Sequence, residues 1–440
     1  MKRIILILLL LTTVITLTAC DDKEMVPAED ITGLTINQAR EAIESAYLIN
    51  AIETPTNEVL PGTILGYEEG IEAGEYVEKN STVNVLLAAP PEGSFSLSDR
   101  IEYAYEVGFI TGPESINSDL LQDAGIGGTD LGIPVKTPEG MALLYGDTFS
   151  GVGAHSGFWF SNFIALSTDT DLNDGLRFDS VVTTESGAAK PFMQGEHHRN
   201  VADEDSTNPD REVTKIPTGG ITIDDTTYIF YMSVRYWGVA GSWLVNYNQV
   251  LKSTDGLRTW TEVDGLRWDE EEADNFGQIF PVQGRDDPEM IYLFAIPGGR
   301  QGGTVLARVH EDDFEDRDAY EYLTGPDTWR QGEQGLNSLD RDPYYVIQPP
   351  SAEMSVMYND YLGKWMAVYL KGSRIVYQTA DDITGPYSDT RPIVSAEQYP
   401  GLYGGFVHRA YTEYDGQKFY IQLSQWLPVY QTILIEVVLE

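Results

Sequence analysis

From Gly127 to Glu440 the chain shows almost no helical periodicity. Segments rich in Tyr, Phe, Ile and Val recur instead between turns of Gly, Asp and Pro, the pattern of short strands joined by tight turns. They fall into five pairs: Met141–Tyr145 with Asn162–Ser167, Thr227–Val234 with Asn248–Ser253, Met290–Ile296 with Gly303–His310, Lys364–Leu370 with Arg374–Thr379, and Lys418–Leu423 with Thr432–Val438. An acidic or glycine turn follows each pair, or nearly so. Unequal repeats of roughly 50 to 90 residues are what radial blades with insertions produce. A β-sandwich shows similar strands but rarely takes so much chain. The expected fold is all-β, a five-bladed β-propeller over residues 97–440, in which Leu97–Asp123 is an opening segment of unassigned structure.

The N-terminus reads differently. Lys2 and Arg3 precede an apolar run from Ile4 to Leu17, which ends in Leu17-Thr18-Ala19-Cys20. Cys20 is the sole cysteine, so neither an internal disulfide nor a cysteine-based metal site can form. The run is short for a membrane span, and residues 1–20 resemble a bacterial lipoprotein signal in which Cys20 is lipidated. That resemblance implies a chain anchored by lipid at the extracellular face of the cell membrane. A formal net charge of -41 excludes nucleic acid as a natural partner and opposes electrostatic docking on anionic lipid.

An acidic spacer, residues 21–30, leads to a small segment of mixed pattern. Thr35 is the expected N-cap of a helix with Ala39, Ile43 and Ala46 on one face, and Thr82–Leu87 is a closing strand. Gly33-Leu34-Thr35, the turn Val59-Leu60-Pro61-Gly62-Thr63 and Ser81-Thr82-Val83 make residues 31–89 resemble a PASTA domain, a small α+β module. The resemblance implies contact with cell-wall muropeptide or a spacer role. Tyr67-Glu68-Glu69-Gly70 replaces the family's polar-Pro segment, which favours the spacer. Residues 90–96 form a linker by composition.

The acids with the most telling setting lie in GGTDLGIPVKTPEGMALLYGDTFSG, residues 127–151. Asp147 is expected just past the end of the strand Met141–Tyr145, and Asp130 in the loop before it. Two carboxylates meeting in one pocket are what glycosidic bond cleavage requires: one gives a proton, the other activates water or attacks. The plainer reading is that both accept hydrogen bonds from turn backbones. Glu353, among small residues in Gln348-Pro349-Pro350-Ser351-Ala352-Glu353, either faces a central funnel as a third candidate catalytic carboxylate or forms a buried ion pair. In a propeller the funnel collects residues from every blade. The expected substrate contacts are therefore His155, Trp159, His197, Arg235, Trp237, Gln348 and His408. Trp159, Trp237 and Trp426 either stack on sugar or serve the core. Five histidines without a ligand spacing argue against zinc, so no metal or other cofactor is expected, with a structural calcium at an acidic turn left open.

Two turns add resemblances. Ser253-Thr254-Asp255-Gly256-Leu257-Arg258-Thr259-Trp260 is similar to an Asp-box of sialidase-type blades, and Asp381-Asp382-Ile383-Thr384-Gly385-Pro386-Tyr387 to a blade turn of five-bladed furanosidases. Gly128-Thr129-Asp130-Leu131-Gly132, Tyr145-Gly146-Asp147-Thr148-Phe149, Ser233-Val234-Arg235 and Gln348-Pro349 to Glu353 resemble the family called domain of unknown function 4185. That family includes endo-D-arabinanases. The resemblance implies an endo-acting glycoside hydrolase of D-arabinan or a related cell-wall polysaccharide, with Asp130 and Asp147 as its paired acids. A sialidase-like exoglycosidase and a non-catalytic carbohydrate-binding propeller are the alternatives.

Overall fold

The computed structural model describes residues 23–68, 70–198, 211–270 and 274–440. The leader expected over residues 1–20, with Cys20, lies outside the described residues. The chain divides into two compact units after Glu92.

In the first unit Thr35 caps helix α1 (Ile36–Ala42) through a reciprocal box: Gln38 N–H donates to Thr35 Oγ1, and Thr35 N–H donates to Gln38 Oε1. Ala39 and Ile43 are buried against Tyr47, Ile64 and Val85. The strands are β1 (Met25–Pro27), β2 (Leu48–Pro55), β3 (Ile64–Tyr67), β4 (Tyr76–Glu78) and β5 (Thr82–Ala89), with β2 parallel and β3 antiparallel to β5.

The second unit is a succession of antiparallel sheets. After β6 (Ile101–Phe109) and helix α2 (Ser118–Asp123), the first sheet holds β7 (Gly128–Thr137), β8 (Gly140–Phe149), β9 (Phe163–Ser167) and β10 (Ser180–Val181). The second holds β11 (Thr214–Ile223), β12 (Thr226–Trp237), β13 (Trp243–Ser253) and β14 (Thr261–Asp269). The third holds β15 (Gln278–Gln283), β16 (Met290–Ile296), β17 (Val305–His310), β18 (Glu321–Gly325) and β19 (Thr328–Gln331), with helix α3 (Gly332–Arg341) packed on it. The fourth is β20 (Ala352–Asn359), β21 (Lys364–Lys371), β22 (Arg374–Ala380) and β23 (Arg391–Ser395). The fifth joins β24 (Leu402–Glu413), β25 (Lys418–Gln425) and β26 (Gln431–Leu439) to β6, so the two ends of this unit close one sheet.

The five first strands touch in a closed ring: β7 on β11, β11 on β15, β15 on β20, β20 on β24, and β24 on β7. Second and third strands are covered on both faces by neighbouring sheets, which is why they read as apolar runs. In β26 every residue of QTILIEVVL is buried. The ring strands must instead approach closely, and glycine permits it: a Cβ at Gly220 would collide with Val135 of β7 and crowd the Tyr228 carbonyl.

Both sequence-marked turns lie at the same place, between the third and fourth strands of their sheets. Asp255 accepts from Arg258 N–H, Thr259 N–H and both hydroxyls of Ser253 and Thr259. The Thr259 backbone and hydroxyl bonds hold it down at about 2. In the fourth sheet Asp382 accepts from Thr384 in the same way.

Candidate active site

Asp130 and Asp147 lie within strands rather than in the loops expected for them. Thr129 pairs with Thr148 and Leu131 with Tyr145, so Asp130 alone opposes Gly146 and Asp147. A second irregularity follows at once, with Gly132 unpaired between Leu131 and Ile133. Leu131 (φ 65°) and Gly132 (φ 75°) take left-handed backbone there. Bulges break the in–out alternation of a strand, and here they turn both carboxylates to one cavity. Gly146 is required by the same geometry, because a Cβ would collide with Asp130 Oδ1.

Glu353 sits in a bulge of its own ring strand, between Ala352 and Met354, with φ 26°. Tyr403 borders another, where β24 slips against β25 beside Gly404. The polar groups of the ring thus stand where strand pairing is interrupted near the N-terminal ends of ring strands. Loops between second and third strands complete the cavity. They bring His155, the hairpin end Trp237–Trp243, Arg300, and Trp426 with Tyr430. Its volume is about 460 Å³, and its wall is mostly apolar, with Phe149, Met232, Phe280 and Phe406 among the lining.

Tyr403 of the lining donates to Asp130 Oδ2 at 2.6 Å, while Thr214 (2.6 Å) and Trp159 (3.0 Å), both outside the lining, donate to Asp147 Oδ1. Burial pushes Asp130 up to about 6, against the pull of the Tyr403 and Tyr430 hydroxyls and the Arg300 charge. Burial, with the charge of Asp130 added to it, pushes Asp147 up to about 7. Arg300 makes the ion pair with Glu353 (2.6 Å) and lies over the rings of Trp243 and Tyr403. Among the described residues, Asp130 Oδ1 and Glu353 Oε2 are buried without a donor. Two acceptors left open in one cavity match a ligand that brings hydroxyl donors.

The other expected contacts divide. His155 and Trp237 line the cavity, as does Trp426 at its rim. Trp159 does not present a face to it: the indole stacks on His197 at 3.9 Å and works from behind Asp147. His197 in turn meets Ser161 at 2.5 Å and lies outside the lining. Arg235 is also outside it, tied to Glu270. Gln348 is exposed and donates to the Tyr345 carbonyl. His408 is fully buried between sheets against Gln422, and burial holds it near 4, hence neutral. Arg235 and His408 lie within strands, and sequence alone does not assign a strand residue to a face. Arg300, Tyr403, Tyr430, Trp243 and Gln278 line the cavity without any motif marking them. Among the described residues no group of three or more His, Cys, Asp or Glu side chains is placed to hold a metal ion.

Residues 115–436 match the family described as a domain of unknown function, DUF4185. A curated relative, notoamide biosynthesis cluster protein J of Aspergillus sp. (strain MF297-2), is 28% identical over 69% of this chain and 80% of its own. A protein of Mycolicibacterium smegmatis, described as an uncharacterized 35.9 kDa protein in the asd 3' region, is 27% identical over 48% of this chain and 59% of its own. Among solved structures, a protein of Bacteroides ovatus ATCC 8483 provisionally called a hydrolase shares the fold at TM-score 0.51, with 12% identity over 76% of this chain and 90% of that one. With well over half of its length matched, the chain belongs to the DUF4185 family.

Proposed function

We propose that the protein is a glycoside hydrolase with a five-bladed propeller, and that Asp130 and Asp147 are its paired acids. One observation carries the reading: two buried carboxylates with raised affinity for protons share a cavity that holds open acceptors for hydroxyl groups. The ring of five first strands supports the blade count. Asp147, with the higher value and a like charge beside it, keeps its proton near neutral pH and is the general acid. It gives that proton to the leaving oxygen as the glycosidic C–O bond breaks. Asp130, held lower by hydroxyls and Arg300, is the carboxylate that takes a proton from water or attacks the anomeric carbon. Glu353 is occupied by Arg300 and is better placed to hold sugar hydroxyls than to donate a proton. The walls of Trp237, Trp243 and Trp426 offer faces for sugar rings.

The substrate we propose is D-arabinan, cut internally, with residues 1–20 as lipoprotein signal and residues 31–89 as a PASTA-like wall-proximity module. A sialidase-like reading is disfavoured, because it needs several arginines around one carboxylate. Among the described residues the cavity lining holds Arg300 alone, already paired with Glu353. Incubation with arabinogalactan of mycobacterial type tests the proposal. Release of oligosaccharides by the wild type, with turnover lowered about 10²- to 10⁴-fold in Asp147→Asn, is the expected result. Glycan binding without product by both proteins would instead establish a carbohydrate-binding propeller. No product and no binding would remove D-arabinan from consideration.

A further inference from the structure

The strand ring has a second mouth. Each first strand gives residues near its N-terminal end to the cavity described above, and residues near its C-terminal end to another of about 610 Å³. Between them the ring is nearly filled: the space lined by Pro134, Gly219, Pro281 and Ser355 amounts to about 10 Å³. The two cavities are separate sites, and the carboxylates of one do not reach the other.

The second mouth is unlike the rest of this acidic chain. Its lining holds three cations, Lys136, Arg285 and Arg409, against one carboxylate, Asp224. Arg285 is already satisfied, paired with Asp360 at 3.0 Å and laid over the Tyr358 ring. Lys136 and Arg409 form no ion pair among the described residues. Arg409 lines both this cavity and the narrow space above it, and among the described residues donates only to the Pro281 carbonyl, at 3.2 Å. Burial alone, with no anion to oppose it, pushes the guanidinium down to about 10. A half-buried guanidinium in a cavity wall can turn its remaining donors to an anion there, and its planar fork matches an oxyanion.

We propose that this second mouth is a binding site for a small tetrahedral oxyanion, a phosphate or sulfate group, held by Arg409 from the wall and Lys136 from the rim. The site is independent of the hydrolase reading: it uses neither Asp130 nor Asp147 and stands if the substrate proposed above is wrong. The excess of acids elsewhere opposes long-range capture of anions, so binding is expected to be short-range and to persist when salt screens the surface.

Inorganic phosphate titrated calorimetrically into the full chain, at fixed ionic strength with chloride as the balancing anion, is the test. Saturable binding of one phosphate per chain is expected, with sulfate competing. Arg409→Gln should weaken it at least about tenfold, and Lys136→Gln, at an exposed position that leaves packing untouched, about threefold. Arg300→Gln, in the other cavity, should bind phosphate as the wild type does. Absence of saturable binding by the wild type, or wild-type affinity in both Arg409→Gln and Lys136→Gln, would overturn the proposal. Loss of binding in Arg300→Gln would overturn it too, because the anion would then occupy the first mouth.

Discussion

Asp147 and Asp130 hold protons more tightly folded than unfolded, which fixes the sign of two effects. A carboxyl raised from its ordinary value near 3.8 to about 7 or about 6 stabilises the fold only while it is protonated. That contribution is complete at low pH and is lost as pH rises from near 4 through the folded values. Replacing Asp147 by Asn removes a penalty at pH 8, so the variant should be more stable than the wild type there, by roughly 2–4 kcal/mol. The gain should vanish below pH 4, and denaturant melts at the two pH values measure it. A variant less stable than wild type at pH 8 would mean that Asp147 ionises freely. The second effect is on titration. Asp130 raises Asp147 by its charge, so in Asp130→Asn the Asp147 carboxyl should titrate below its wild-type value, which carbon-detected NMR of the side chain can follow.

The carboxylates owe their position to irregular strands. Because Asp130 packs on the Cα of Gly146, Gly146→Ala should push the Asp130 carboxyl and the Leu131 side chain aside at a cost of roughly 1–3 kcal/mol. Activity should fall more than tenfold in a protein that still folds, and an unchanged rate would show that the bulge does not position Asp130. The same irregularity explains what the sequence conceals. The five segment pairs read from apolar runs coincide with second and third strands, covered on both faces. The ring strands are concealed because GTDLGIPVKT and LYGGFVHRAYTE mix glycine, polar and apolar residues without alternation. The strand β6 was hidden too, since its partner β26 lies at the far end of the chain. Asp130, Asp147 and Glu353 were legible through their glycine and proline settings. Arg300, Tyr403 and Tyr430 were not, for they come from the third and fifth sheets, far in sequence from the paired aspartates of the first. Arg235 and His408 lie away from the cavity for the converse reason: polar residues within strands look alike whichever way they face.

At the scale of the whole ring, closure rests on the sheet that joins β6 to β26, and its interior is charged. Lys418, 1% exposed, lies 3.4 Å from Glu436, 0% exposed, and 3.2 Å from Glu413. Tyr103 of β6 donates to Glu436 at 2.5 Å, so the strand from the start of the unit is hydrogen-bonded into this cluster. Such a cluster adds little net stability over apolar side chains, because desolvation offsets the attraction. Removing one member is different. Lys418→Met leaves the Glu436 carboxylate buried without its cation and should cost about 3–5 kcal/mol at neutral pH. Burial already raises Glu436 above the ordinary range, with Lys418 holding it down, so in the variant it should rise further. The loss should therefore shrink in acid, where Glu436 takes a proton, and grow as pH rises through its folded value. Adding Glu436→Gln removes the stranded charge while leaving an acceptor for Tyr103. The double variant should recover most of the lost stability. Equal losses in the single and double variants would show that the Lys418 side chain acts by packing alone, and that ring closure does not depend on balancing charge inside the joining sheet.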